Sequence, residues 1–136
     1  MKVFCSFYHF NINVLLDFDI MICYNQGNEA VIKMNTEKIY TKADILCQID
    51  KLNIPKGSIV LAHTAFRPIG KVDGGAKTVL DSFIEYFTEN GGLFCVPTHT
   101  WANIKEPFVL DMNDTKTCLG AFSDFAASDG RGIRSL

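Results

Sequence analysis

The stretch Val60-Leu61-Ala62-His63-Thr64-Ala65-Phe66, followed by Gly70-Lys71-Val72-Asp73-Gly74-Gly75-Ala76-Lys77-Thr78-Val79-Leu80-Asp81, constrains this chain more than any other. It reads as a buried strand, a glycine turn and the start of a helix. Glycines ahead of a helix let the backbone come close to a ligand. The first-turn N–H groups of that helix have no intrahelical acceptors, so the layout suits an anion such as a phosphate. A phosphorylated cofactor is one reading. The other is a strand-to-helix joint that uses glycine for steric reasons alone, as many α/β domains do.

The flanking residues extend the pattern. Thr41 stands as an N-cap hydroxyl before Lys42-Ala43-Asp44-Ile45, and Ile45, Leu46, Ile49 and Leu52 keep the period of a helix that Pro55 and Gly57 end. Ile59 to Ala62 is a continuous apolar run, as in a strand buried on both faces of a parallel sheet. Val79, Leu80, Phe83, Ile84 and Phe87 define a second amphipathic helix, with Asp73 near its positive end and Asn90-Gly91-Gly92 as its stop. Leu93 to Val96 forms the next strand, Pro107 to Asp114 a loop and Leu119 to Ala127 a third helix, before Asp129-Gly130-Arg131-Gly132 turns the chain towards Arg134. This alternation predicts an α/β fold with a layered, mainly parallel sheet flanked by helices.

The chain has 136 residues, enough for one domain with a real core. Its formal net charge is -2 and it has no basic run, so the electrostatic footprint of a nucleic-acid binder is missing. Cys5, Cys23, Cys47, Cys95 and Cys118 are widely spaced, without a Cys-x-x-Cys pair or a histidine at metal-ligand spacing. They read as reduced, apolar residues of a cytoplasmic protein, and no metal is expected. Cys95 belongs to the core, because nothing around it supplies the base or lowered thiol pKa of a nucleophile.

Met1 to Lys33 stands apart. Its many aromatic and large aliphatic residues follow neither the strand nor the helix period, and Asn11, Asn13, Asp17 and Asp19 interrupt every apolar run. The segment is too broken to span a membrane and has no small-residue cleavage site of a secretory signal. Met34-Asn35-Thr36-Glu37-Lys38 looks like a natural start. Residues 1–33 are therefore read as an extension from an upstream start codon and 34–136 as the domain proper, the competing reading being an extra strand or lid.

Leu52-Asn53-Ile54-Pro55-Lys56-Gly57-Ser58 upstream and Gly91-Gly92-Leu93-Phe94-Cys95-Val96-Pro97-Thr98-His99-Thr100-Trp101 downstream complete an ordered set of motifs. Together with the glycine turn, this set resembles the aminoglycoside 3-N-acetyltransferase family. That family carries a Gly-Asp-x-x-x-x-His-Ser-Ser strand, then Gly-Gly-Ala-x-Thr-Val-x-Asp-Ala-Leu, then Gly-Thr-Leu-x-x-Pro-Thr-x-Thr. The resemblance runs from about Thr41 to the end and includes Arg134-Ser135. His63-Thr64-Ala65 stands in place of His-Ser-Ser, so Thr64 keeps the first hydroxyl and Ala65 lacks the second. Family members are longer, with both halves building one α/β unit, and the chain reads as their amino-terminal part. In the family a His-Pro pair follows one residue after Arg-Ser, and that histidine is the catalytic base. No catalytic residue is therefore expected in this chain, the base lying beyond Leu136.

The resemblance implies acetyl-CoA as co-substrate, an aminoglycoside or related amine as acceptor, and no metal, nucleic-acid or membrane partner. It implies cofactor contacts from His63, Thr64 and Ala65 at the strand end, from Gly74, Gly75 and Ala76 at the helix start, and from Thr98 and Thr100 past the second strand. A histidine would accept the amine proton while backbone donors stabilise the oxyanion. Plainer readings stand beside these. His63 also reads as a core histidine, Trp101 as a half-buried core edge, and Arg134 with Ser135 as structural or frayed. Two rival functions are an inactive remnant and a nucleotide-binding P-loop. The second departs by one residue, since Ala76 turns Lys77 by about 100° from where it would reach phosphates.

Overall fold

The computed structural model describes residues 3–4, 19–24, 28–33, 37–64, 69–101, 109 and 111–134. Strands β1 (Val3–Phe4), β2 (Asp19–Tyr24), β3 (Asn28–Lys33) and β4 (Ile39–Tyr40) precede helix α1 (Lys42–Lys51). Strands β5 (Ile59–His63) and β6 (Lys71–Val72) precede α2 (Gly75–Phe83), which runs on into a π-helical turn at Ile84–Thr88. Strand β7 (Leu93–Cys95), α3 (Ala121–Ser128) and β8 (Ile133–Arg134) follow. Among the described residues no helix is long and apolar enough to cross a membrane.

Helix α1 starts where the N-cap signal put it. The Thr41 hydroxyl accepts from the Asp44 amide at 3.3 Å, and the Asp44 carboxylate accepts from the Thr41 amide at 2.9 Å, a reciprocal capping box. Its end comes before Pro55 and Gly57: the helix stops at Lys51, and Asn53 adopts a left-handed φ of 54°. Asparagine tolerates that conformation, and it ends the helix earlier than the proline could. The third helix begins at Ala121, slightly later than the sequence pattern suggested.

The fold is mixed α/β. The main sheet has the order β3-β2-β5-β7, with β5 and β7 parallel in the register Val60↔Phe94. Parallel pairs also join β4 to β6 and β1 to β8. The expectation of a mainly parallel sheet needs correction for this main sheet, because β2 pairs antiparallel with both β3 and β5. Antiparallel neighbours need only a short link, whereas β5 and β7 require the long crossover that α2 supplies. The two antiparallel strands come from the segment in which no period was readable, and Ile32 of β3 is 2% exposed in the common core.

One hydrophobic cluster joins these elements. Ile45 and Ile49 of α1, Val79, Leu80 and Phe83 of α2, and Phe122 and Ala126 of α3 meet Val60, Ala62 and Phe94 of the sheet. The Phe83 and Phe94 rings stack with centroids 4.8 Å apart. Strand β5 is not buried on both faces as its apolar run suggested. Val60 and Ala62 are buried, Leu61 and His63 only partly, and Ile59 is 61% exposed. The alternation follows from the pleat, which gives one face to the core.

Candidate functional site

Because β5 and β7 are parallel, His63-Thr64 and Val96-Pro97-Thr98 leave the sheet at the same edge. Connectivity brings the start of α2 to that edge too, since α2 carries the chain back towards the beginning of β7. Open α/β sheets bind ligands at such carboxyl ends. The turn before α2 is pinned by the pairing of β6 with β4 and by a 2.9 Å hydrogen bond from the Asp73 amide to the Tyr40 carbonyl.

Gly74 and Gly75 then adopt left-handed φ values of 77° and 63°, and no side chain caps the helix. A Cβ on Gly74 would lie 2.3 Å from the Thr78 hydroxyl, whereas one on Gly75 would meet nothing within 4 Å. The first turn of α2 therefore presents amide donors beside open space.

Several polar groups gather at the strand ends. The Thr64 hydroxyl is buried with no hydrogen-bond partner among the described residues, and a buried orphan of this kind is costly unless a ligand satisfies it. Burial, aided by the nearby His99, holds the His63 imidazole below its usual range, which favours its neutral form. Thr98 is 2% exposed and Thr100 is partly buried. Trp101 is 53% exposed and stands edge-on to His99 with ring centroids 5.1 Å apart, so it is no core edge. Ala76 packs on the core from the first turn of α2, and Ala65 lies outside the described residues. The fold thus brings His63, Thr64 and the Thr98–Thr100 stretch to one sheet edge, with Gly74, Gly75 and Ala76 joined to it through the crossover.

A family model for aminoglycoside 3-N-acetyltransferases matches residues 61–136, the span that holds all of these groups. The chain belongs to this acetyltransferase family. The match begins at Leu61, later than the Thr41 start suggested by the motifs, so α1 and the β2–β3 hairpin lie outside it. No curated protein and no solved structure matches the chain.

Within the acetyltransferase span, Lys77 pairs with Asp81 one turn further along α2 instead of reaching back to the helix start. Lys77 therefore does not take the place of the phosphate-gripping lysine of a P-loop. Asp81 also meets Arg131 at 2.7 Å, and Arg131 closes on Asp129 at 2.5 Å. Burial pushes the Asp81 carboxyl up, but the hydrogen bonds from Lys77 and Arg131 outweigh it and hold the group below its usual range. The sequence motifs contained Asp81 and Arg131 without revealing that they meet. Only the Lys77–Asp81 spacing was a local signal. Arg134 is not a frayed end. Its strand pairs with β1, and its guanidinium donates to the Thr98 carbonyl at 2.7 Å and the Thr115 carbonyl at 2.5 Å. Its partners among the described residues are backbone carbonyls.

Proposed function

We propose that the chain carries the acetyl-CoA-binding part of an aminoglycoside 3-N-acetyltransferase of the antibiotic-resistance type, working in the cytoplasm where acetyl-CoA is made. One observation carries the reading. An uncapped helix start with two left-handed glycines shares a sheet edge with the orphaned Thr64 hydroxyl, inside the span that matches the family. In this reading the amides of Gly75 and Ala76 take a phosphate of the co-substrate. His63, Thr64 and Ala65 then line its path from the β5 side, and Thr98 and Thr100 from the β7 side. No metal is assigned.

The acceptor is an amine of an aminoglycoside or related compound. Its lone pair attacks the thioester carbonyl, the new N–C bond replaces the C–S bond, and the coenzyme A thiolate leaves. The amine proton passes to a general base. The reading assigns that base to no residue of 1–136; in the family pattern it is the histidine that follows Arg-Ser. Acetylation removes a positive charge from the antibiotic, which is sufficient reason for weakened binding to an anionic target.

Calorimetric titration tests the reading. The chain is expected to bind acetyl-CoA, and S-acetylpantetheine, which lacks the nucleotide phosphates, is expected to bind at least about tenfold more weakly. Equal affinity for the two ligands, or no binding of acetyl-CoA, overturns the phosphate cradle.

A further inference from the structure

We infer that Arg134 is a positioning residue, which holds the exit of β7 and the 111–118 segment together and thereby aims Thr98 and Thr100 at the co-substrate. The role rests on the acetyl-CoA reading for its effect on binding, but the clamp itself stands on geometry. One arm of the guanidinium, Nη2, reaches the Thr98 carbonyl at 2.7 Å. The other, Nη1, reaches the Thr115 carbonyl at 2.5 Å and the Met112 carbonyl at 3.5 Å. A planar fork with fixed donors can gather carbonyls from two segments at once, and a flexible ammonium cannot do so with the same geometry.

The neighbouring bonds make this a joint rather than a single contact. Next to Thr98, the His99 carbonyl accepts from the Cys118 amide at 3.1 Å, so two consecutive carbonyls past β7 are tied to the returning chain. That returning chain is anchored in turn, because the Thr117 amide donates to Asp124 in the first turn of α3 at 2.7 Å. Arg134 is itself fixed at its backbone by the pairing of β8 with β1. Removing the guanidinium would leave the Cys118–His99 bond as the main tie between the two segments. Arg131 lies close by in sequence but, among the described residues, bonds towards Asp81 and Asp129, which makes it a control for simple loosening of the terminal turn.

Amide hydrogen exchange on the full chain separates the two. In Arg134→Gln the Cys118 amide is expected to exchange about tenfold faster, while the core amides of β5 and α1 keep their protection. Coenzyme A affinity, measured by calorimetry, is expected to fall about tenfold, because Thr98 and Thr100 are no longer held in place. Arg134→Lys is expected not to rescue either quantity, and Arg131→Gln is expected to leave both unchanged. If Arg134→Gln does not fold, Arg134→Lys decides on the same readouts. Unchanged Cys118 exchange overturns the clamp. Faster exchange with wild-type coenzyme A affinity overturns the positioning role and leaves a structural one. A wild-type chain that binds no coenzyme A defeats the acetyl-CoA reading instead, and exchange at Cys118 still judges the clamp.

Discussion

Strands β4 and β6 lie side by side and each runs straight into a helix, yet the two helix starts are built in opposite ways. At α1, Thr41 and Asp44 satisfy each other's amides, and Lys38 reaches the outer oxygen of Asp44 at 2.6 Å. At α2, Gly74 offers no side chain and both glycines sit at positive φ. The first start spends its donors on its own chain and gains stability. The second has no side-chain cap, at a cost of about 1 kcal/mol against a capped helix. Helix starts made from adjacent strands of one fold need not share a purpose, and the presence or absence of the cap tells them apart.

The largest expected effect separates the two glycines of α2. Gly74→Ala places a methyl group against the Thr78 hydroxyl at a left-handed backbone position, so it should cost about 2 kcal/mol or more in urea unfolding. Gly75→Ala bears only the backbone strain, about 1 kcal/mol, since its Cβ points into open space. That same methyl group would fill the cradle, so acetyl-CoA affinity should fall further than stability does. A folded Gly75→Ala chain with unchanged affinity would remove the functional half of the comparison.

A smaller effect is expected at α1. Thr41→Ala removes the cap hydroxyl and should lower stability by about 1 kcal/mol, while acetyl-CoA affinity measured on the folded variant stays at the wild-type value. A parallel loss of affinity would mean that the two starts work as one unit, linked through the Asp73–Tyr40 hydrogen bond.

These two starts also show what the sequence made legible. Thr41 with Asp44, and Gly74 with Gly75, are local signals whose geometry is settled within a few residues, so both could be read without a fold. The antiparallel pair of β2 and β3 could not. Its inner strand β2 is held between β3 and β5, the latter a partner distant in sequence, and the composition of the pair carries no alternation. The apolar run of β5 misled in the same way, because burial of each face depends on what the sheet packs against. At the site, the strand ends and glycine turn were readable from motif order. The grip of Arg134 on the Thr98 carbonyl and the meeting of Asp81 with Arg131 join residues far apart in the chain and left no periodic trace.

The smallest expected effect is an acid signature confined to α1. The hydrogen bond from Lys38, followed by those from the Thr41 amide and hydroxyl, holds the Asp44 carboxyl well below the usual carboxylate range. A carboxyl depressed in the folded state contributes stability that is present above its unfolded pKa, near the ordinary value of 3.8, and is lost as the pH falls through the folded value. The gap in urea midpoint between wild type and Asp44→Asn should therefore be constant from neutral pH down to about pH 5 and narrow only below about pH 4. Asp81, also depressed, titrates in both proteins and cancels in the difference. Salt then divides the gap by cause. Screening at about 1 M salt weakens the exposed Lys38 contact but spares the short-range bond to the Thr41 amide, so part of the gap should survive. A gap abolished by salt would mean that Lys38, and not the capping box, closes the first helix, and the contrast with the open start of α2 would then rest on a surface charge alone.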